Sequence, residues 1–171
     1  MPAKAIPTHR PDRPARSPVP VPRDFKVLDQ AHRAALDMLE HLDILVRRLG
    51  DRGLDEEARR QAREVLNYFN GPGHDHHAQE EAQVFPSLLA SGDAELVQHV
   101  QRLRQDHGWI EEDWRELAPQ VDAIACGYDW YDLAMLQAAV PVFAGLCREH
   151  ITLEECVVYP AAQNLLRHTK H

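Results

Sequence analysis

Leu28, His32, Ala35, Leu39, Leu42, Val46 and Leu49 follow one another at alternating steps of four and three residues. Only an α-helix, at about 3.6 residues per turn, brings such positions onto one face. The pattern returns three times. Ala62, Val65, Phe69, His76, Glu80 and Val84 make a second stripe. Leu96, Val100, Leu103, His107, Ile110, Trp114, Leu117, Val121 and Ile124 make a third. Leu133, Leu136, Val140, Phe143, Cys147, His150, Glu154, Val157 and Ala161 make the fourth. Gly50 and Gly53 end the first helix, and the second begins near Asp55. Gly71-Pro72-Gly73 predicts a kink or short break in the second, which Ser91-Gly92 closes. The third helix is expected from about Asp93 to Ala125, and the fourth from near Asp129. Short connections force long neighbouring helices to run antiparallel. The expected fold is all-α, an up-down-up-down four-helix bundle over residues 24–171.

Residues 1–23 read differently. They hold seven of the twelve prolines, with basic residues between them, and too little apolar surface to order themselves. The expectation is a disordered, polyproline-like tail, either a solvated leader with no partner or a docking segment for a protein partner. This tail carries +4 and the remaining body −12, within a net charge of −8. An acidic body argues against nucleic acid as a partner. No apolar run approaches the roughly 18 residues of a membrane span, and no stretch of signal-peptide length opens the chain. Cys126, Cys147 and Cys156 form no CxxC pair. Together these point to a cytoplasmic protein with no membrane partner.

The eleven histidines carry the functional signal. Each stripe holds one: His32, His76, His107 and His150. Glu80 and Glu154 follow two of them by four residues, one turn along the same face. The other histidines, His77 among them, fall off the stripes or lie in the tails. Counted from the turns, the four stripe histidines lie within roughly 6 Å of one level at about 1.5 Å rise per residue. The chain also repeats itself. Residues 76–86 read HHAQEEAQVFP and residues 150–160 read HITLEECVVYP. Two hairpins, each with two histidines and one glutamate, build a site of two equivalent halves.

Four imidazoles and two carboxylates at one level make an expensive core unless a cation compensates them. The candidate metal ligands are therefore His32, His76, Glu80, His107, His150 and Glu154. Imidazole with carboxylate, and no thiolate at ligand spacing, favours iron or manganese over structural zinc. Six protein ligands shared by two ions leave positions open for a small oxidant or a solvent-derived bridge. Glu81 and Glu155 are candidates either to orient the imidazoles from outside or to form a solvated face. Cys147 and Trp114 read as core, and Tyr159 as a neighbour whose hydroxyl both halves cannot require, since Phe85 is its repeat partner.

At these residues the chain resembles the hemerythrin HHE family over about residues 25–168. The resemblance rests on His32, on His76-x3-Glu80 with Phe85-Pro86, on Asp106-His107, and on His150-x3-Glu154 with Tyr159-Pro160. It implies a four-helix bundle holding two iron ions, a non-haem di-iron centre that binds or reacts with oxygen, peroxide or nitric oxide. It also implies alternatives: an iron- or redox-responsive sensor or interaction module, or a protein that repairs iron–sulfur centres. Weak oxidase, peroxidase or nitric-oxide chemistry would be the enzymatic form. Glu80 stands where the oxygen-carrying members have a second histidine.

Overall fold

A computed structural model of the chain describes residues 25–168; the expected 1–23 tail lies outside the described residues. Every element among the described residues is helical. The first column is α1 (Lys26–Arg52). The second is broken into α2 (Glu56–Phe69), α3 (Pro72–Gln83) and α4 (Phe85–Leu89). The third is α5 (Ala94–Cys126). The fourth is α6 (Leu133–Leu153), a π-helical turn (Glu154–Val158) and α7 (Tyr159–His168). α1 packs on α2 and α6, and α5 on the same two, so the columns surround a common interior.

Local chemistry sets the ends. Asp55 accepts a hydrogen bond from the Ala58 N–H, and Asp93 from those of Glu95 and Leu96, satisfying amides that a helix start leaves open. Gly127 closes α5 in the left-handed region at φ 82°, which suits glycine. The fourth helix starts later than its expected origin near Asp129. Asp132 is the cap instead: its side chain accepts from the Met135 N–H at 2.9 Å, and its own N–H donates to Gln120 at 2.7 Å. The break at Gly71-Pro72-Gly73 is present, with Pro72 opening α3, where its missing N–H costs nothing.

The π turn was not expected. The Tyr159 N–H bonds the Glu154 carbonyl, five residues back, and Pro160 has no N–H to continue the α ladder. The wider turn takes up an extra residue and moves the buried face by one position. Val158 and Ala162 are fully buried, in place of the expected Val157 and Ala161, which are only partly covered.

Two apolar layers result. One contains Leu39, Leu42, Leu66, Leu117 and Phe143; the other contains Leu28, Phe85, Leu88, Leu103 and Val158. Each fully buried leucine contributes roughly 1.5–3 kcal/mol. Every column passes from one layer to the other, and a polar histidine–glutamate level lies at each crossing. His32 falls between Leu28 and Leu39, His107 between Leu103 and Ile110, and His150 between Cys147 and Val158.

Candidate metal centre

His32, His76, Glu80, His107, His150 and Glu154 are all buried, the two glutamates completely. Their donor atoms sort into two groups, each closing to within 4.8 Å: His32 with His76, and His107 with His150, both groups including Glu80 and Glu154. The two oxygens of each carboxylate divide between the groups. Glu80 Oε1 lies 3.4 Å from His76 Nε2, while its Oε2 lies 3.4 Å from His107 Nε2. Glu154 Oε2 lies 3.1 Å from His32 Nε2, while its Oε1 lies 3.1 Å from His150 Nε2.

These separations suit donors around a cation better than donors to one another. Two atoms each bound about 2.1 Å from one ion, at right angles, stand about 3.0 Å apart. Hydrogen bonding leaves much of the set unexplained. His76 Nδ1 and Nε2, His107 Nε2, both nitrogens of His150, Glu80 Oε2 and both Glu154 oxygens are buried with no aligned partner. Native structures bury few such atoms, because each forfeits its hydration. The donor chemistry therefore fits two cations sharing two carboxylates.

The outer faces of two imidazoles are held. His32 Nδ1 meets Glu155 Oε1 at 3.0 Å, and His107 Nδ1 meets Glu81 Oε1 at 2.9 Å. Glu81 and Glu155 thus take the orienting alternative, each turning the Nε2 of its histidine toward the interior. The repeat extends to the rings. Phe85 stacks on His107 at 5.6 Å and 15°, and Tyr159 stacks on His32 at 5.2 Å and 8°. Asp106, the residue before His107, is buried with Oδ2 3.7 Å from His150 Nδ1.

Two residues join the site that the stripes left out. His77 stacks on His107 at 4.1 Å, and its donor nitrogen groups with those of His107 and His150. α3 touches both α1 and α5, so consecutive residues bracket the interior: His76 faces His32, with ring centres 4.9 Å apart, and His77 faces His107. The Tyr159 hydroxyl donates to Glu80 Oε1 and lies 3.1 Å from His32 Nε2. The repeat held both signals. Position 77 corresponds to Ile151 and position 159 to Phe85, so these are the places where the two halves differ.

Charge within the cluster is unevenly held. Burial and the neighbouring Glu154 charge push Glu80 up to about 7. Burial also opposes ionisation of Glu154, but the imidazoles of His107, His150 and His32 close around it hold its carboxyl well below the usual range. Burial opposes charge on His107, yet Glu154, Glu80 and Glu81 raise it to about 10. His150 rises to about 8 against the same penalty, through Asp106 and Glu154. Burial lowers His76 to about 4 and His77 to about 2, so both are neutral and ready to ligate.

His41, His74 and His99 stand outside the cluster, on partly exposed or exposed surface beside Glu64, Glu111 and Glu95. No helix among the described residues is long and apolar enough to cross a membrane. No curated protein and no solved structure matches the chain. The family model for the hemerythrin HHE cation-binding domain matches residues 23–162. With that match over most of its length, and its histidine–glutamate cluster on four helical columns, the chain belongs to the hemerythrin HHE cation-binding domain family.

Proposed function

We propose that this protein is a non-haem di-iron protein that binds or reacts with a small oxidant: oxygen, peroxide or nitric oxide. The division of both Glu80 and Glu154 between two donor groups carries this reading, because shared carboxylates are what a pair of adjacent cations requires. His32 and His76 serve one position. His107, His150 and His77 serve the other. All-nitrogen and oxygen donors favour iron, with manganese or zinc the weaker fit. Iron held by these residues would supply electrons to a small oxidant.

The chain's own groups prepare that chemistry. Glu155 and Glu81 fix the tautomers of His32 and His107, so that each Nε2 lone pair faces inward. The Tyr159 hydroxyl holds a proton against Glu80, because burial and the two glutamates raise its pKa. The apolar layers above and below close those two sides of the donor cluster to water. The short connections support an up-down-up-down order, with the described part of the expected 24–171 unit acting as one bundle. All three cysteines are free, which supports a reducing, cytoplasmic setting.

The test is anaerobic loading with ferrous iron, then mixing with oxygen, hydrogen peroxide or nitric oxide. Consumption of one of them and a new visible absorption band, both lost in Glu154→Ala, is the expected result. Loaded protein inert to all three would overturn this function.

A further inference from the structure

Packing leaves one side of the donor cluster open. A cavity of about 530 Å³ reaches it, with His32, His76, His77, His150 and Glu154 at its inner end. A molecule the size of water occupies about 30 Å³, so a diatomic oxidant would fill a small fraction of this space. The volume instead falls within the roughly 300–1,000 Å³ of sites for small organic ligands. Leu39, Leu66, Phe69, Ile110, Trp114 and Cys147 form the wall. Trp114 presents only its ring, since its Nε1–H is already donated to Asn70 Oδ1 at 2.8 Å.

The exposed end has one available cation. Arg115 lines it and makes no ion pair or hydrogen bond among the described residues. Two acids share that rim. Glu111 is engaged by His74 at 3.1 Å, and Asp122 stands seven residues from Arg115, about 10 Å further along α5. Arg115 lies eight residues past His107, a span of about 12 Å along the helix.

We propose that this cavity binds an apolar monocarboxylate, its carboxylate on Arg115 and its hydrocarbon body between Leu66, Phe69 and Trp114, reaching toward His76 and His77. A guanidinium pairs a carboxylate through two parallel hydrogen bonds, which fixes the head group, while the wall offers an apolar tail no polar competitor. An extended ten-carbon acid is of the right length. The cavity's role as a substrate chamber rests on the di-iron reading above; binding itself does not.

The test uses the full chain as purified, with the exposed Trp109 and Trp130 changed to phenylalanine so that Trp114 alone fluoresces. Decanoate and decanol are titrated in parallel, and the metal content of the same sample is measured. Decanoate should shift Trp114 emission saturably, at one per chain. Arg115→Gln should weaken decanoate at least tenfold and decanol less than twofold. Ala118→Phe, which fills the cavity from α5, should remove both; if it loses helical signal, Ala35→Phe fills the cavity from α1 and is read the same way. No saturable shift, a decanoate affinity indifferent to Arg115→Gln, or full binding by a folded cavity-filled variant would each overturn the assignment. Decanoate binding by a metal-free sample would leave this site standing and sink the di-iron reading. Two metals with no decanoate binding would do the reverse.

Discussion

Glu81→Gln and Glu155→Gln should each weaken metal retention about tenfold while leaving the fold intact. The two carboxylates reach Nδ1 of His107 and His32 at 2.9 and 3.0 Å. Such outer acceptors fix the ring and raise its basicity, and losing one costs about 10–100-fold in metal affinity. The lower figure applies here for two reasons. A glutamine carbonyl can still accept the Nδ1 proton, so only the charge is removed. Both side chains are also partly solvated, Glu155 at 45% and Glu81 at 38%, and Glu81 shares its charge with Arg104 at 3.6 Å. Tenfold corresponds to about 1.4 kcal/mol, the difference expected between a charge-assisted and a neutral hydrogen bond. The two hold imidazoles at different positions, so in the double variant each position should weaken about tenfold and the overall constant for two ions about 100-fold. Competition with a chromophoric ferrous chelator under nitrogen gives the constants. Glu149→Gln is the control: Glu149 is 75% exposed and, among the described residues, pairs only with Arg102, at 3.9 Å. If both variants change affinity less than twofold, or no more than the control, the outer carboxylates do not orient the ligands.

His77→Ala should lower retention at the His107–His150 position, whereas His41→Ala, beside Glu64 at 3.7 Å on the surface, should not; metal-to-protein ratios after dialysis separate them. Metal uptake at pH 7 should release at least two protons per chain, because His107 and His150, raised to about 10 and about 8, must lose theirs to ligate, and Glu80, raised to about 7, must lose a share of one. Affinity should therefore fall as pH is lowered, by at least about a hundredfold from pH 7 to 6; indicator dye in weak buffer reads the protons, and a release under one contradicts the assignment. Asp132→Ala should cost about 1 kcal/mol and lower Tm by a few degrees, since it removes the cap that accepts from Met135; a thermal melt followed by circular dichroism decides it.

The four columns and six of the inward donors were legible because a stripe at helical spacing reports which face is buried. The same logic hid His77. A stripe assigns one residue per turn to the interior, but α3 sits between α1 and α5, and an interior face wider than 100° admits its neighbour as well. The shift from Val157 and Ala161 to Val158 and Ala162 was hidden for a different reason. It depends on one hydrogen bond spanning five residues, from Tyr159 to the Glu154 carbonyl, and no local residue preference announces a π turn. Pro160 marked the place without specifying the form. Glu81 and Glu155 were visible as a repeated pair, yet only the ring directions of His107 and His32 decide between a solvated face and an orienting role. The cavity was the least legible feature. Leu66, Phe69, Ile110 and Trp114 sit at core spacing, and sequence spacing alone does not tell a filled core from a lined chamber.

The metal content of protein purified without added metal tests the central claim most directly, with iron, manganese and zinc determined on one sample alongside the protein concentration. Two carboxylates shared between two donor groups predict near two irons per chain, falling by about one in His76→Ala and unchanged in His99→Ala, whose ring lies outside the cluster beside Glu95. One zinc per chain, or a folded chain that holds no metal, would contradict it.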